Sequence, residues 1–256
     1  MRLLIISALV VMLTHLLEGI AGFGGAVMAL PFLNLTLGLN NSVHLLCLFG
    51  WLMAFYIVLR SWRQINWKEL GFISIFAGIG MPLGLFLFEY LPGIQLCILL
   101  GIFMGIVGIH GFMCQFKKAA AANVALEKNR NIWMKILLFI GGIFQGAFGC
   151  GGPCIVIYSA KSMPDKGSFR ATLSLLWLLL NSCRLGVWSF NNSFWNLELL
   201  KMFAVILPFM FGGLVLGDLL HHKVNEKHFK IGVYSLLTIS GIIMVFNNAA
   251  ALFGQR

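Results

Sequence analysis

The sequence predicts an all-α integral membrane protein of two inverted repeats, each a broken or re-entrant helical segment followed by three transmembrane helices. Three observations lead there. Hydrophobic residues make up 60% of the chain and charged residues only 10%, with a mean hydropathy of +0.93, whereas a soluble domain carries about a quarter charged residues. Long apolar runs fall at 3–39, 43–59, 70–88 and 94–116, and a second set at 132–158, 169–190, 199–220 and 229–253. Finally, Glu18-Gly19-Ile20-Ala21-Gly22-Phe23-Gly24-Gly25 recurs 127 positions later as Gln145-Gly146-Ala147-Phe148-Gly149-Cys150-Gly151-Gly152, inside the first run of each set.

The first repeat spans 1–122. Its opening run, 3–39, is interrupted by glycines at 19–25 and is shorter than the roughly 40 residues that two full crossings and a turn require, which favours a hairpin. Runs 43–59, 70–88 and 94–116 are each compatible with one crossing. A polar linker at 123–131, with Glu127, Lys128 and Arg130, joins the copies. The second repeat, 132–256, has the same order: a run broken at 146–152, then 169–190, 199–220 and 229–253. Met1-Arg2 before an apolar run resembles the start of a signal peptide, but it lacks a small-residue cleavage site and leads directly into the first glycine cluster, so it is read as part of the first repeat. Other correspondences support duplication: Trp51 with Trp177 at an offset of 126, and Gly80-Met81-Pro82-Leu83-Gly84 with Gly213-Leu214-Val215-Leu216-Gly217 at 133. Glycines four apart permit close helix approach, so these pairs are assigned to packing.

A formal charge of +10 would raise nucleic acid as a partner in a soluble protein. Here the basic residues sit between apolar runs and fit orientation and anionic lipid headgroups instead. Arg60, Arg63, Lys68, Lys117, Lys118, Lys128, Arg130, Lys135, Lys161, Lys166, Arg170, Lys223, Lys227 and Lys230 all fall on one face if each broken segment returns to its side of entry. That face is cytoplasmic by the positive-inside rule. The halves then have opposite orientation and both chain ends lie outside the cell membrane, with 123–131 in the cytoplasm.

Unwound backbone inside lipid is tolerated only where protein or a watery cavity satisfies it. In each copy the glycines precede a second helical stretch, whose positive end therefore points to the bilayer centre. Two such ends arriving from opposite faces make a site for a small anion. Gly22, Gly24, Gly25, Gly149, Gly151 and Gly152 are the candidate binding residues; close packing alone is the alternative. Glu18 is a carboxylate near the membrane centre, and Gln145 is its neutral counterpart. Glu18 is read either as a proton-coupling group or as a carboxyl capping the broken helix, with His15 one turn earlier.

Arg170, Ser174, Trp177, Asn181 and Arg184 follow spacings of four, three, four and three and share one helical face. Their counterparts in the first copy are His44, Leu48, Trp51, Phe55 and Val58, so most of the polar stripe is private to the second. Asn181 and Arg184 can donate to an oxyanion, for which a guanidinium fork is suited; for Arg184 the alternative is snorkelling to the outer interface. The six cysteines form no regular framework, and Cys150-x-x-x-Cys154 is a weak redox or metal signal. The histidines show no ligand spacing, and no nucleophile elbow, P-loop or dinucleotide fingerprint occurs. The expectation is therefore no metal, no cofactor, no nucleic acid partner and no catalytic residues.

Gly22-Phe23-Gly24-Gly25 and Gly149-Cys150-Gly151-Gly152-Pro153, together with a broken segment and three apolar runs in each half, resemble the sulfite exporter TauE/SafE family across essentially the whole chain. The resemblance implies a transporter of the cytoplasmic membrane that moves sulfite, a sulfonate or a related anionic sulfur compound outward. Family members often carry a third small residue after the glycine pair. Ala26 keeps that character and Pro153 departs from it, although proline is accommodated in the first turn of a helix. The alternatives are a passive anion channel and a membrane thiol-redox protein using Cys150 and Cys154. Phe23 and Val27 at the equivalent places in the first copy argue against shared redox chemistry.

Overall fold

The computed structural model describes residues 2–21, 24–116, 132–163, 165–190, 196–220 and 226–253, and these are helical apart from short connections. In chain order the helices are α1 (Arg2–Ala21), α2 (Gly25–Leu37), α3 (Leu39–Ser61), α4 (Trp67–Tyr90), α5 (Gly93–Phe116), α6 (Ile132–Phe148), α7 (Gly152–Ser162), α8 (Lys166–Phe190), α9 (Leu197–Leu220) and α10 (Glu226–Phe253). A 3-10 turn, Trp62–Gln64, follows α3. Six helical stretches among the described residues are long and apolar enough to cross a membrane: Arg2–Gly19, Leu39–Gln64, Trp67–Tyr90, Gly93–Met113, Gly167–Phe190 and Leu197–Gly217. The linker at 123–131 and Gly22 lie outside the described residues.

Both glycine clusters end one helix and begin another, and both pairs of helices fold back on themselves. Ser7 Oγ near the start of α1 lies 2.7 Å from Thr36 Oγ1 near the end of α2, while Glu18 packs on Gly25 at the turn. In α6 and α7, Gly141 abuts Cys154 and Ile155, and Gly151 sits against Gln145. Gly24 and Gly149 have φ of 97° and 72°, a left-handed backbone that glycine adopts without a Cβ penalty. These positions fix the turns.

The two halves exchange partners. α4 packs along α6, where the faces of Gly80 and Gly84 meet the backbone carbonyls of Phe139 and Ile143. α9 packs along α1, where Gly213 and Gly217 meet the carbonyls of Met12 and Leu16. Adding 127 to Met12 and Leu16 gives Phe139 and Ile143, so the two interfaces correspond residue by residue. Lipid tails are as apolar as leucine, so close backbone approach through small residues is what selects these pairings. The packing role assigned to the two glycine pairs holds.

The remaining pairs join equivalent helices in antiparallel fashion. In α5 and α10, Gly101 meets Gly241 and Val245 whereas Gly108 meets Tyr234 and Thr238. In α3 and α8, the rings of His44 and Trp188 lie 4.5 Å apart, and Trp51 Nε1 donates to Ser182 Oγ at 2.8 Å.

Asparagines at equivalent connections cap α4 and α9: Asn66 Oδ1 accepts from Glu69 N–H at 3.2 Å and Asn196 Oδ1 from Leu199 N–H at 2.6 Å. The α3–α4 connection meets the α7–α8 region through Asn66 N–H donating to Thr172 Oγ1 and Tyr158 Oη donating to Glu69 Oε2, each 2.9 Å. Arg60, Arg63, Lys68, Lys161 and Arg170 thereby gather at one end of the molecule. Two large apolar cores result among the described residues, beside a small cluster of Met53, Ile57 and Leu214. One surrounds α2 with Val27, Met28, Leu30 and Leu33; the other surrounds α7 with Ile155 and Tyr158 against Ile73, Ala77 and Leu176.

Candidate anion site between the two hairpins

A cavity of about 90 Å³ lies where the two hairpin turns approach each other, between α3 and α8. One water needs only roughly 10–15 Å³ of such space, so a small hydrated anion fits. Gly24 of the first turn and Gly149, Gly152 and Pro153 of the second border it, together with Glu18 and Gln145. α8 contributes Arg170, Leu173, Ser174, Trp177 and Asn181, and α3 contributes Cys47, Gly50, Met53, Ala54 and Ile57. Of the α8 residues on the cavity, Arg170 is exposed, Trp177 is half-buried and Ser174 and Asn181 are each 5% exposed, so the cavity reaches the surface at the Arg170 end.

Four members of the predicted α8 stripe thus face one space, as their helical spacing implied. The α3 wall was missed. Its counterparts to Trp177 and Asn181, Trp51 and Phe55, stack on each other at 5.5 Å instead of facing the cavity. The signal that could have found the wall is the small-residue series Cys47, Gly50 and Ala54, which opens room beside Asn181: its Nδ2 would lie 3.2 Å from a Cβ at Gly50.

Gln145 organises the second turn. Its Oε1 accepts from Gly151 N–H at 3.1 Å and its Nε2 donates to Asn181 Oδ1 at 3.2 Å. A backbone N–H can only donate, which sets the orientation of both amides. Asn181 is left with its Nδ2 group as the donor beside the cavity. Glu18 does the matching job in the first turn by accepting from Gly25 N–H. The pair therefore caps the two half-helices, because the first N–H groups of a helix have no partner within it. The capping alternative for Glu18 is what the geometry displays, and the same carboxylate also borders the cavity.

His15 Nδ1 lies 2.9 Å from Val11 O, so it is the protonated nitrogen and Nε2 faces Glu18 Oε2 at 3.8 Å. This is too long for a hydrogen bond, and the contact becomes an ion pair only when Nε2 also takes up a proton. Gly25 and Gly151 do not border the cavity; they lie beneath Glu18 and Gln145, with Gly151 also against the Gly141 carbonyl.

Arg184, one turn beyond Asn181, is 0% exposed, which excludes snorkelling to an interface. It does not line the cavity. Its guanidinium lies behind Gly149 and over the Trp188 ring at 4.5 Å. Cys150 and Cys154 are free and buried.

Two hairpins thus meet at a small, largely apolar space that holds a few polar groups, on a frame of apolar helices. The profile of the family described as sulfite exporter TauE/SafE matches residues 7–244. The chain belongs to the sulfite exporter TauE/SafE family. It is also similar to a Comamonas testosteroni protein described as "Probable inner membrane transporter protein TsaS", 23% identical over 186 residues that make up 71% of this chain and 73% of that one. No solved structure matches it. This TauE/SafE member is a multi-pass transporter of the cell membrane.

Proposed function

We propose that the protein exports a small anionic sulfur compound, sulfite or an organosulfonate, by alternating access, with the anion held between the two hairpin turns. The observation that carries this reading is the shared cavity: Gly24 from one half and Gly149 and Gly152 from the other border one small space, and both half-helices begin there with their positive ends. Asn181 Nδ2 adds a side-chain donor. The family description supplies the sulfur chemistry.

The halves act as inverted repeats. Equivalent helices that pair with each other, α3 with α8 and α5 with α10, run antiparallel, as a two-fold axis lying in the membrane plane requires. The basic end of the molecule is cytoplasmic by the positive-inside rule, with both termini outside. The cavity mouth at Arg170 then faces the cytoplasm. At the other end Phe148, Arg184 and Trp188 are buried, which opposes a continuous pore and favours a transporter over a passive channel. Glu18, which borders the cavity beside His15, links anion movement to protons.

Purified protein in proteoliposomes, loaded with sulfite under an imposed pH gradient, tests the reading. Gradient-driven, saturable sulfite flux is expected, abolished in Gly24→Val and Gly151→Val while membrane insertion persists. Ohmic anion current would make the protein a channel, and undiminished flux in both valine variants would remove the site from the turns.

A further inference from the structure

Arg184 is the largest fully buried side chain in the described structure, and Nε, Nη1 and Nη2 all lack a hydrogen-bond partner among the described residues. A guanidinium stays charged inside proteins and offers five N–H donors in a planar fork. Leaving such a charge buried without an acceptor is among the most costly arrangements in a fold. Among the described residues the titratable groups that act on it are His44, Cys47 and Cys150, none of them a carboxylate. Stacking on Trp188 satisfies the face of the guanidinium and leaves its edge unpaired. That edge points at Gly149: Nη1 would lie 2.6 Å from a Cβ there, so a side chain at this position would push the guanidinium aside. Gly149 in turn borders the cavity.

We infer that the transport path holds a second anion position, deeper than the one between the hairpin turns, in which an oxyanion is bound in bidentate fashion by Arg184 and enclosed by Trp188 and His44. This rests on the transport reading above. The position lies one helical turn beyond Asn181, the last α8 residue on the cavity, on the route to the opposite face. It selects an anion with two or more coplanar oxygens, such as a sulfite or sulfonate head, over a spherical ion, because the fork matches paired acceptors. Gly149 separates the two positions and, lacking a side chain, lets an anion pass from one to the other.

Two tryptophans report on the positions separately: Trp177 borders the cavity and Trp188 stacks on Arg184. Titrating the purified full-length protein with sodium sulfite while following tryptophan emission is expected to give a saturable change with a component that disappears in Trp188→Phe. In Arg184→Gln that component vanishes. In Arg184→Lys it persists with affinity lowered about tenfold or more, since lysine keeps the charge but loses the fork. Sodium chloride at the same concentration is expected to leave it unchanged. The neutral amide in Arg184→Gln needs no counter-charge, so a thermal melt at or above wild type verifies that this variant is folded; if it melts lower, the comparison rests on Arg184→Lys.

A response confined to the component removed by Trp177→Phe, with wild-type affinity in both Arg184 variants, would overturn the deep position and leave the transport reading standing. An equal response to chloride would overturn the oxyanion assignment. Absence of any saturable sulfite response in wild type would count against the transport reading itself.

Discussion

Replacing Gln145 with alanine tests how the second hairpin is held. Gln145 is 2% exposed and satisfies two groups at once, the Gly151 N–H at 3.1 Å and Asn181 Oδ1 at 3.2 Å. Each buried partner left unpaired costs about 1–3 kcal/mol, so Gln145→Ala is expected to destabilise the fold by roughly 2–6 kcal/mol. Glu18→Ala removes one capping bond from a side chain that is 17% exposed, where water replaces part of what is lost, and about 1 kcal/mol is expected. Unfolding in mixed micelles titrated with SDS measures both. The cycle with Asn181→Ala sharpens the test: once Asn181 Oδ1 is gone, Gln145→Ala leaves one orphan fewer, so the double variant costs less than the sum of the singles. Equal costs for Gln145→Ala and Glu18→Ala, together with additivity in the cycle, would refute the assignment of Gln145 as the bridge.

Gly24→Ala and Gly149→Ala both place a side chain on a left-handed backbone and are expected to lose about 1–2 kcal/mol of stability. Only Gly149→Ala displaces Arg184, so sulfite affinity falls about tenfold further in that variant than in Gly24→Ala; equal binding losses would disconnect Arg184 from the site. Glu18→Gln keeps an acceptor for Gly25 N–H, so the hairpin survives and sulfite still binds, while the pH dependence of flux disappears. A wild-type pH profile in proteoliposomes would clear Glu18 of coupling. Gly213→Leu drives a side chain into the Met12 carbonyl, whereas Gly212 faces open space, so Gly213→Leu loses the monodisperse protein on size exclusion and Gly212→Leu retains it. Changing Cys150 and Cys154 together to serine leaves flux intact; its loss would revive the thiol-redox alternative.

Much of the site was legible because membrane residence simplifies the code. Hydropathy marks the crossings, and a glycine cluster inside an apolar run has few explanations. Its recurrence at 18–25 and 145–152 located both turns, and the spacing of Arg170, Ser174, Trp177 and Asn181 placed one wall of the cavity. What stayed hidden depended on rotation and depth. α3 turns Cys47 and Gly50 to the cavity while Trp51 and Phe55 stack elsewhere, and no pattern of hydrophobicity distinguishes a helix face that meets protein from one that meets lipid when both are apolar.

The sequence by itself determined that this chain is helical, membrane-embedded, duplicated and broken at two glycine clusters, since those features follow from local composition and period. The tertiary structure decided which helices cross between the halves, that Glu18 and Gln145 cap the turns, and that Arg184 points inward beneath Gly149. The reason is that such relations depend on backbone approach between segments far apart in the chain. A carbonyl of Met12 seated on Gly213, or a guanidinium held against Gly149, is set by the fit of whole helices.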